Sequence, residues 1–458
     1  MEPLHGQNAG LYGGAAAWQV EADRRIEQYR TGEFTLTIVP CRPAAADQAA
    51  SGHPGASGKP ADPGVPGRAK LPGRTGLPGV AVRARQVRSG FLFGTCINTD
   101  LSNNSASERE YRQFIIDHFN AVVDENCMKW YSTERERGKR DFRRADAHLA
   151  FAREHGLAMR GHCLFWAKEK FVAAQPWLLE LDGDDLKQAM EDHLVSIVPR
   201  YRGQLVAWDV NNEMLDGHWY RDRLDEAIRP WMFKRTAELD PDTPLFVNEY
   251  SILGNPARVE QYVALIEWLR REGAPVGGIG IQEHSCERFV LDPEADGEHE
   301  ERSGSVHVTP QQVLASLDRL AELGLPIHLT EISARTPDAQ ARAAALDALL
   351  RIGYSHPAVE AVMLWGFWSK RHWLGPDAAL VADDFAPNAA GDRLRHLLLD
   401  AWRTFSEGHA DEAGTFRFRG HYGTYAVEIT TADGRQAEHS VTFTPGQTAA
   451  VVTLDTPG

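Results

Sequence analysis

The stretch Ala207–Leu215, AWDVNNEML, indicates which kind of sheet this chain forms. It begins as an apolar strand and ends in two amides and a carboxylate, Asn211, Asn212 and Glu213. A carboxylate is rarely buried at the end of a strand unless it has a partner. Barrels and open sheets that bind ligands at the carboxyl ends of their strands place polar side chains there. The stretch therefore predicts a strand of such a sheet, with Glu213 at its functional edge.

Similar apolar runs recur on both sides of this stretch and alternate with longer segments of helical periodicity. The predicted strands are residues 91–97, 119–124, 157–163, 205–211, 244–249, 277–283, 325–331 and 359–365. The helical patterns include 184–200, 256–271, 310–322, 338–351 and a last helix at 391–405. This succession predicts an α/β fold, a (β/α)₈ TIM barrel with insertions. A doubly wound sheet is the alternative, but no GxGxxG sequence opens its first unit.

Both chain ends differ from this central region. The N-terminal part predicts a helix at 18–30 and a β-hairpin of strands 33–39 and 80–87. A low-complexity stretch rich in Pro and Gly, at about 40–79, fills the loop of this hairpin. The C-terminal part predicts a short β-meander, which is too small for a core of its own. We expect the two ends to form one small accessory β-module, and the predicted domains are 1–90, 91–407 and 411–458.

The amino-acid composition argues against some classes of binding partner and cofactor. The chain has 458 residues and a formal net charge of −15, which argues against nucleic acid or an anionic membrane. Its five cysteines lack CxxC spacing, so neither a structural zinc nor a disulfide framework is expected. The sequence shows neither a signal-peptide pattern nor the apolar length of a membrane helix. We expect a monomer without cofactor, cytoplasmic as written, or secreted if its start is misassigned.

Polar and aromatic side chains accumulate where the predicted strands end. They are Glu125, Asn126, Lys129, Trp130, His162, Trp166, Asn212, Glu213, Asn248, Glu249, Gln282, Glu283, His284, Glu331, Trp365, Trp368 and Trp373. Any one of them is more simply explained as a structural residue. Because all these strand ends face one rim of a barrel, however, together they predict an active site.

Glu213 and Glu331, on the fourth and seventh strands, are predicted to lie almost across the barrel mouth from each other. Such a pair suits glycoside hydrolysis, which needs one protonated carboxyl and one ionised carboxylate. Nearby amides suit sugar hydroxyls, and tryptophans suit the faces of sugar rings. A metal site of His162, Cys163, His284 and a glutamate is the alternative, but no HxH, HExxH or DxD spacing supports it.

Several of these segments resemble glycoside hydrolase family 10, in order and spacing, across about Phe91–Phe405. They are ENCMKW (125–130), RGHCLFW (160–166), WDVNNE (208–213), LFVNEY (245–250), GIGIQEH (278–284), LTE (329–331) and WGFW…W (365–373). The resemblance implies a retaining endo-1,4-β-xylanase on a (β/α)₈ barrel. The longer runs HCLFW…PW, DVNNEML…YRDRL and GAPVGGIGIQ are similar to the plant-type branch of the family.

The resemblance also implies a role for each site residue. Glu213 becomes the general acid/base and Glu331 the nucleophile, with His284 hydrogen-bonded to Glu331. Asn212 and Gln282 orient the site and the sugar bound at the cleavage point. The implied substrate-binding residues are Glu125, Asn126, Lys129, His162, Trp166, Trp365 and Trp373. A retaining mechanism further predicts that the two catalytic carboxyl groups lie roughly 5–5.5 Å apart.

The sequence departs from the family pattern at positions that bear on substrate binding. Cys127 stands where glutamate is frequent, Ala167 where histidine is frequent, and Ser369 where aspartate is usual. These changes leave one alternative open, and the tryptophan-rich rim together with the terminal β-module leaves a second. The first is a β-glycanase or exo-acting glycosidase of the same mechanism that acts on another β-linked glycan. The second, of a different class, is a non-catalytic carbohydrate-binding protein.

Overall fold

The computed structural model describes residues 15–41, 76–289 and 307–455. Its strands are β1 Thr31–Cys41, β2 Ala81–Ser89, β3 Leu92–Ile97, β4 Ala121–Asp124, β5 Ala158–Gly161, β6 Phe165–Trp166, β7 Ala207–Asn212, β8 Leu245–Tyr250, β9 Gly278–Glu283, β10 Ile327–Ile332, β11 Val359–Leu364, β12 Phe405–His409, β13 Thr415–His421, β14 Gly423–Thr430, β15 Gln436–Phe443 and β16 Ala449–Asp455. Residues 42–75, most of the predicted low-complexity stretch, lie outside the described residues.

The α-helices lie mainly between the strands of the central region. They are α1 Ala15–Arg30, α2 Ala106–His118, α3 Trp130–Thr133, α4 Arg143–Glu154, α5 Glu169–Val172, α6 Pro176–Leu179, α7 Gly183–Tyr201, α8 Trp219–Arg223, α9 Ile228–Leu239, α10 Pro256–Arg271, α11 Pro310–Ala321, α12 Ala339–Ser355 and α13 Ala389–Arg395. A π-helical turn at His396–Ala401 continues α13. Within the described ranges, no helix combines the length and the apolar character that crossing a membrane requires.

Strands β3 to β11 form one closed parallel sheet. Their order is β5-β4-β3-β11-β10-β9-β8-β7-β6, and an additional pairing of β5 with β7 closes the ring. Because β5 and β6 both pair with β7, they share one position, and the ring has eight positions. This confirms the predicted (β/α)₈ barrel. The strands are buried on both faces, which is why they read as continuous apolar runs in the sequence.

Local sequence signals fix where the outer helices begin. Asn255 caps α10 by accepting a hydrogen bond from the Arg258 amide at 3.2 Å, and Pro256 occupies the first helical position. The α11 helix opens with a capping box between Thr309 and Gln312. At the chain start, α1 belongs to the same compact unit as the barrel. Its last residue, Arg30, donates hydrogen bonds to the carbonyls of Tyr354, His356 and Val359 at 2.6–2.7 Å.

A second compact unit comprises Thr31–Gly90 and Arg403–Gly458, so both chain ends contribute to it. It contains a three-stranded sheet, β13-β1-β16, and a four-stranded sheet, β12-β2-β14-β15. Their shared core is aromatic: Phe34 stacks on Phe443 at a centroid distance of 4.2 Å, and Phe416 and Tyr425 are buried. The predicted accessory β-module from the chain ends is therefore confirmed.

The pairing inside this β-module differs from the prediction. The strands β1 and β2 do not form the predicted hairpin, because β1 pairs with β13 and β16, whereas β2 pairs with β12 and β14. The C-terminal strands are likewise shared between two sheets and do not form a simple meander. Alternation of apolar and polar residues predicts a strand but not its partner, and the long connection between β1 and β2 leaves each free to pair elsewhere.

Candidate active site

A hydrogen-bond network at one rim of the barrel joins Glu213 to Glu331. Asn248 uses its Nδ2 group to donate to Glu331 Oε1 and to Asn212 Oδ1, each at 2.9 Å. Asn212 in turn donates from Nδ2 to Glu213 Oε1 at 3.3 Å, and Gln282 Nε2 donates to Asn212 Oδ1 at 3.2 Å. All five residues are buried. Asn212 and Asn248 thus link the two carboxylates, and Gln282 holds Asn212 from the side.

Asn248 holds the centre of this network, although its sequence position predicts only a strand-end residue and no individual role. The Thr330 hydroxyl donates to Asn248 Oδ1 at 2.6 Å, which leaves the Nδ2 group to face Asn212 and Glu331. The only signal in the sequence is its position near the end of the fifth predicted strand, in LFVNEY. That position alone does not reveal that its amide reaches strands on both sides.

Glu331 is buried in surroundings that favour its ionised form. Burial alone would raise the pKa of this carboxyl, but His162, His284 and Lys129 outweigh burial and hold it below the usual range. The Nε2 atom of His284 lies 3.4 Å from Glu331 Oε2, and that of His162 lies 3.8 Å from Oε1. With the amide of Asn248 on Oε1, both carboxylate oxygens face donors. Glu331 is therefore a carboxylate held in a fixed orientation.

His162 is oriented by Asp209 from inside the barrel. Its Nδ1 atom lies 2.9 Å from Asp209 Oδ2, and because an ionised carboxylate can only accept, Nδ1 carries the hydrogen. Arg160 pairs with both oxygens of Asp209, and also donates to His328 Nδ1 at 2.9 Å. This buried arrangement leaves His162 Nε2 directed at Glu331. Residues below the rim thus fix the ring that faces Glu331.

The backbone turns sharply at Glu213, directly after β7. Its φ of 60° lies in the left-handed region, which is uncommon for a residue with a side chain. The turn is held by a hydrogen bond of 2.7 Å from the Gly217 amide to the Glu213 carbonyl, and by Arg229, which donates to the Met214 carbonyl at 3.0 Å. A non-glycine residue in this conformation marks a position where surrounding contacts fix an unfavourable geometry.

Sequence reasoning missed Lys168, which contacts Glu213 directly. The Nζ atom of Lys168 lies 2.6 Å from Glu213 Oε2 and 3.1 Å from the hydroxyl of Tyr250. No spacing in the sequence links residue 168 to Glu213, because the contact joins the segment after β6 to the end of β7. Only the folded arrangement of the two neighbouring strands reveals it.

A second buried carboxyl, Glu249, lies beside Glu213. Its Oε1 atom accepts a hydrogen bond of 2.8 Å from the Leu215 amide, and its Oε2 atom has no hydrogen-bond partner among the described residues. Burial, reinforced by the charge of Glu213, raises the pKa of Glu249 to about 8. Glu249 is therefore protonated at neutral pH and helps to hold the turn that carries Glu213.

The protonation of Glu249 predicts a pH-dependent stability. Between the ordinary glutamate pKa and about 8, the folded protein keeps a proton that the unfolded chain releases, so stability falls as pH rises. Glu249→Gln removes this contribution. In the unaltered protein, the free energy of unfolding falls between about pH 5 and about pH 7.5. In Glu249→Gln, this fall should be smaller by on the order of 3 kcal/mol.

Urea unfolding at the two pH values measures this difference. The matched control is Glu360→Gln, an exposed glutamate on β11, which should leave the pH dependence as in the unaltered protein. An identical pH dependence in Glu249→Gln and in the unaltered protein would contradict the protonated state of Glu249.

Four predicted substrate-binding residues cluster beside the second barrel strand. Lys129 Nζ lies 3.5 Å from Asn126 Oδ1 and 4.6 Å from the centre of the Trp166 ring. The hydroxyl of Tyr131 also donates to Asn126 Oδ1, at 2.8 Å. Glu125, next to Asn126, has a pKa raised by its burial. This cluster brings donors, acceptors and an aromatic ring together, as a sugar-binding surface requires.

The remaining predicted aromatic residues gather around His284. Trp373 meets His284 edge to face at a centroid distance of 4.7 Å, and Trp365 lies 6.4 Å from the same ring. Trp365 also contacts His162 at 5.2 Å, which connects this group to Glu331. Trp365 is buried, whereas Trp373 is 50% exposed. An exposed tryptophan beside the site offers a flat apolar face to a ligand.

Among the described residues, one group of side chains has the spacing of a metal site: Asp124, Cys127 and His148. Hydrogen bonds already account for this group. His148 uses Nδ1 to contact Asp124 Oδ2 at 2.6 Å and Nε2 to contact the Thr99 carbonyl at 2.9 Å. Since both ring nitrogens are engaged, the group fits a structural role at the end of β4 better than a metal site.

Comparison with known proteins agrees with this geometry. The sequence profile of glycosyl hydrolase family 10 matches residues 82–394. The endo-1,4-beta-xylanase 2 of Arabidopsis thaliana is 37% identical over 367 residues, covering 79% of this chain and 32% of that protein. The anti-sigma-I factor RsgI6 of Acetivibrio thermocellus is 36% identical over 379 residues, covering 82% of this chain and 46% of that protein.

A solved structure extends the comparison to the fold. Xylanase 10B from Thermotoga petrophila, in complex with xylobiose, superposes with a TM-score of 0.59 at 26% identity, covering 68% of this chain and 94% of the other. This chain spans less than half the length of the two curated relatives named above. The profile match covers more than half of the chain and includes both glutamates of the site. The chain belongs to glycosyl hydrolase family 10.

Proposed function

We propose that this protein is an endo-1,4-β-xylanase that hydrolyses internal β-1,4 linkages of xylan with retention of anomeric configuration. The observation that carries the proposal is the pair Glu213 and Glu331, joined through Asn212 and Asn248 at one barrel rim. The substrate class is supported by the name of the Arabidopsis relative and by the xylobiose complex of the Thermotoga enzyme.

In the first step, the Glu331 carboxylate attacks the anomeric carbon while protonated Glu213 donates its proton to the glycosidic oxygen. The bond between the anomeric carbon and that oxygen breaks, and its electron pair stays on the oxygen. The products are a glycosyl ester on Glu331 and a released chain with a new hydroxyl. The lowered pKa of Glu331 keeps the nucleophile ionised for this attack.

In the second step, Glu213 acts as a carboxylate and accepts a proton from water. The water oxygen attacks the anomeric carbon from the face that the leaving chain vacated. The ester bond to Glu331 breaks, and Glu331 becomes a carboxylate again. Two displacements restore the original configuration, and Glu213 is protonated once more for the next cycle.

The amide network predicts how Asn248 contributes. Asn248→Ala removes the donor to Glu331 and the contact to Asn212, so kcat should fall by about 10²-fold, as for other preorganised donors. Thr330→Val removes only the hydroxyl that orients Asn248 and should cost less than about tenfold. Steady-state kinetics on a xylo-oligosaccharide measures both. Equal losses in the two variants would contradict the central role of the Asn248 amide.

Substrate comparison tests the proposed function itself. The purified protein should release reducing sugar from xylan far faster than from mannan or β-glucan, and short xylo-oligosaccharides of several lengths should appear early. Release of xylose alone from chain ends would replace the endo assignment with an exo-acting one. Preference for another polymer would reject xylan as substrate. Binding of polymers without any sugar release would indicate a carbohydrate-binding protein.

A further inference from the structure

Lys168 occupies a position for which the two-step mechanism above has no role. Its Nζ atom lies 2.6 Å from Glu213 Oε2, and its side chain is 22% exposed, against 9% for that of Glu213. Ion pairs on open surfaces contribute little because water screens them, but this pair is largely shielded. The contact therefore bears directly on the proposed acid/base group.

The contact presents a cation to one oxygen of Glu213. An ammonium group has only donors, so it attracts an ionised carboxylate more strongly than a protonated one. The other oxygen, Oε1, faces the Nδ2 group of Asn212, which is also a donor. Both oxygens of Glu213 thus face donors. The first chemical step, by contrast, needs a protonated Glu213 that faces the glycosidic oxygen.

Neighbouring side chains keep the ammonium charged and in place. The burial of Lys168 works against its charge, but Glu213 and Tyr250 outweigh burial and raise the pKa of Lys168. The Tyr250 hydroxyl accepts from Lys168 and donates to Asp216 Oδ2. Asp216 is itself paired with Arg258, whose guanidinium also lies over the Tyr250 ring.

Other titratable groups near Glu213 cannot replace Lys168 as its counter-ion. Glu249, on the neighbouring strand, stays protonated up to about pH 8 and becomes negative above it. Burial raises the pKa of the Cys163 thiol, so that thiol stays neutral. Asp216 carries a negative charge because its contacts to Tyr250 and Arg258 outweigh its burial and lower its pKa. Among the residues that the structure describes, Lys168 is thus the cation in direct contact with Glu213.

We propose that Lys168 is a positioning residue that stabilises the ionised form of Glu213, in the free enzyme and again in the glycosyl–enzyme intermediate. This inference rests on the proposed function. The lysine opposes the first step, because Glu213 must then be protonated and released from the ammonium. It favours the second step, because Glu213 must then be a carboxylate that accepts a proton from water.

The pH profile of Lys168→Met tests this role. Without the ammonium, the protonated form of Glu213 is favoured, so the alkaline limb of kcat/KM on a xylo-oligosaccharide should move upward by about one pH unit. A 2,4-dinitrophenyl β-xylobioside has a leaving group that needs no proton, which makes the second step rate-limiting. On this substrate, kcat on the acid limb should fall by about tenfold.

Lys168→Arg is the matched control, since it keeps a cation at the position and should leave both limbs close to those of the unaltered enzyme. Thermal unfolding shows whether Lys168→Met is folded. If the folded variant has the same alkaline limb of kcat/KM and the same acid limb of kcat as the unaltered enzyme, the inference is overturned. Loss of activity at all pH values without movement of either limb would also overturn it, because that result indicates a structural role.

One further variant separates this inference from the proposed function. Glu331→Ala should be inactive on both substrates whatever Lys168 does. If Glu331→Ala hydrolyses both substrates normally, the proposed function fails, and the inference fails with it. If Glu331→Ala is inactive and the limbs of Lys168→Met are unmoved, only the role of Lys168 is rejected.

Discussion

Replacement of Glu331 by alanine should lower the kcat for xylan hydrolysis by on the order of 10⁵-fold, the largest effect expected of a single substitution if the proposed function is right. The reason is chemical: in the part of the chain that the structure describes, Glu331 is the carboxylate that His162, His284 and Asn248 hold at this rim. Without Glu331, no glycosyl ester can form, and the positive charge that develops at the anomeric carbon loses its nearest counter-charge.

Azide and a matched variant sharpen the test of Glu331→Ala. Azide can enter the space that the carboxylate vacates and attack an activated aryl β-xyloside directly, so the expected product is the α-xylosyl azide. The control Glu360→Ala changes an exposed glutamate on β11 and should retain the kcat of the unaltered enzyme. Turnover within tenfold of normal in Glu331→Ala would reject Glu331 as the nucleophile.

Replacement of Glu213 by alanine should give the second largest effect, and one that depends on the leaving group. Hydrolysis of xylan should fall by about 10³-fold to 10⁴-fold, because the sugar leaving group requires the proton that Glu213 supplies. The formation of the glycosyl ester from a 2,4-dinitrophenyl glycoside should be nearly normal, because that leaving group departs without a proton. A rapid burst of dinitrophenol followed by slow turnover is therefore expected in stopped-flow measurements.

Azide again distinguishes this role from that of Glu331. In Glu213→Ala the glycosyl ester still forms on one face, and azide then attacks from the face that water would use, so the product should be the β-xylosyl azide. The α-azide from Glu213→Ala, or an equal loss of rate with both leaving groups, would contradict the assignment of Glu213 as acid/base. We therefore expect the α-xylosyl azide from Glu331→Ala and the β-xylosyl azide from Glu213→Ala.

The barrel could be predicted because its determinants are local. Strands buried on both faces leave continuous apolar runs, and the helices between them leave a 3.6-residue period, so eight units could be counted along the chain. The rim could be predicted for a similar reason, since residues such as Glu213 and Glu331 interrupt apolar runs where strands end. The pairing of β1 with β13 and β16 could not, because strand partners in the β-module are chosen by contacts between distant parts of the chain.

The site could be predicted only in part, for reasons visible in Asn248 and Lys168. Asn248 was recognised as a strand-end residue, but its role depends on distances of 2.9 Å to side chains on two other strands. Lys168 left no signal at all, since its partner is 45 positions away along the chain and only a turn at φ 60° brings Glu213 toward it. Sequence patterns predict which element a residue belongs to, and the fold decides which side chains meet.

Mass spectrometry of a trapped glycosyl–enzyme intermediate identifies the nucleophile. A 2-deoxy-2-fluoro xylobioside with a dinitrophenyl leaving group should form a glycosyl ester rapidly and hydrolyse it slowly, because fluorine destabilises the charged transition state of both steps. After proteolysis, the added mass should lie on the peptide that contains Glu331. A label on the Glu213 peptide, or no adduct in an enzyme that hydrolyses xylan, would contradict the assignment of Glu331 as nucleophile and Glu213 as acid/base.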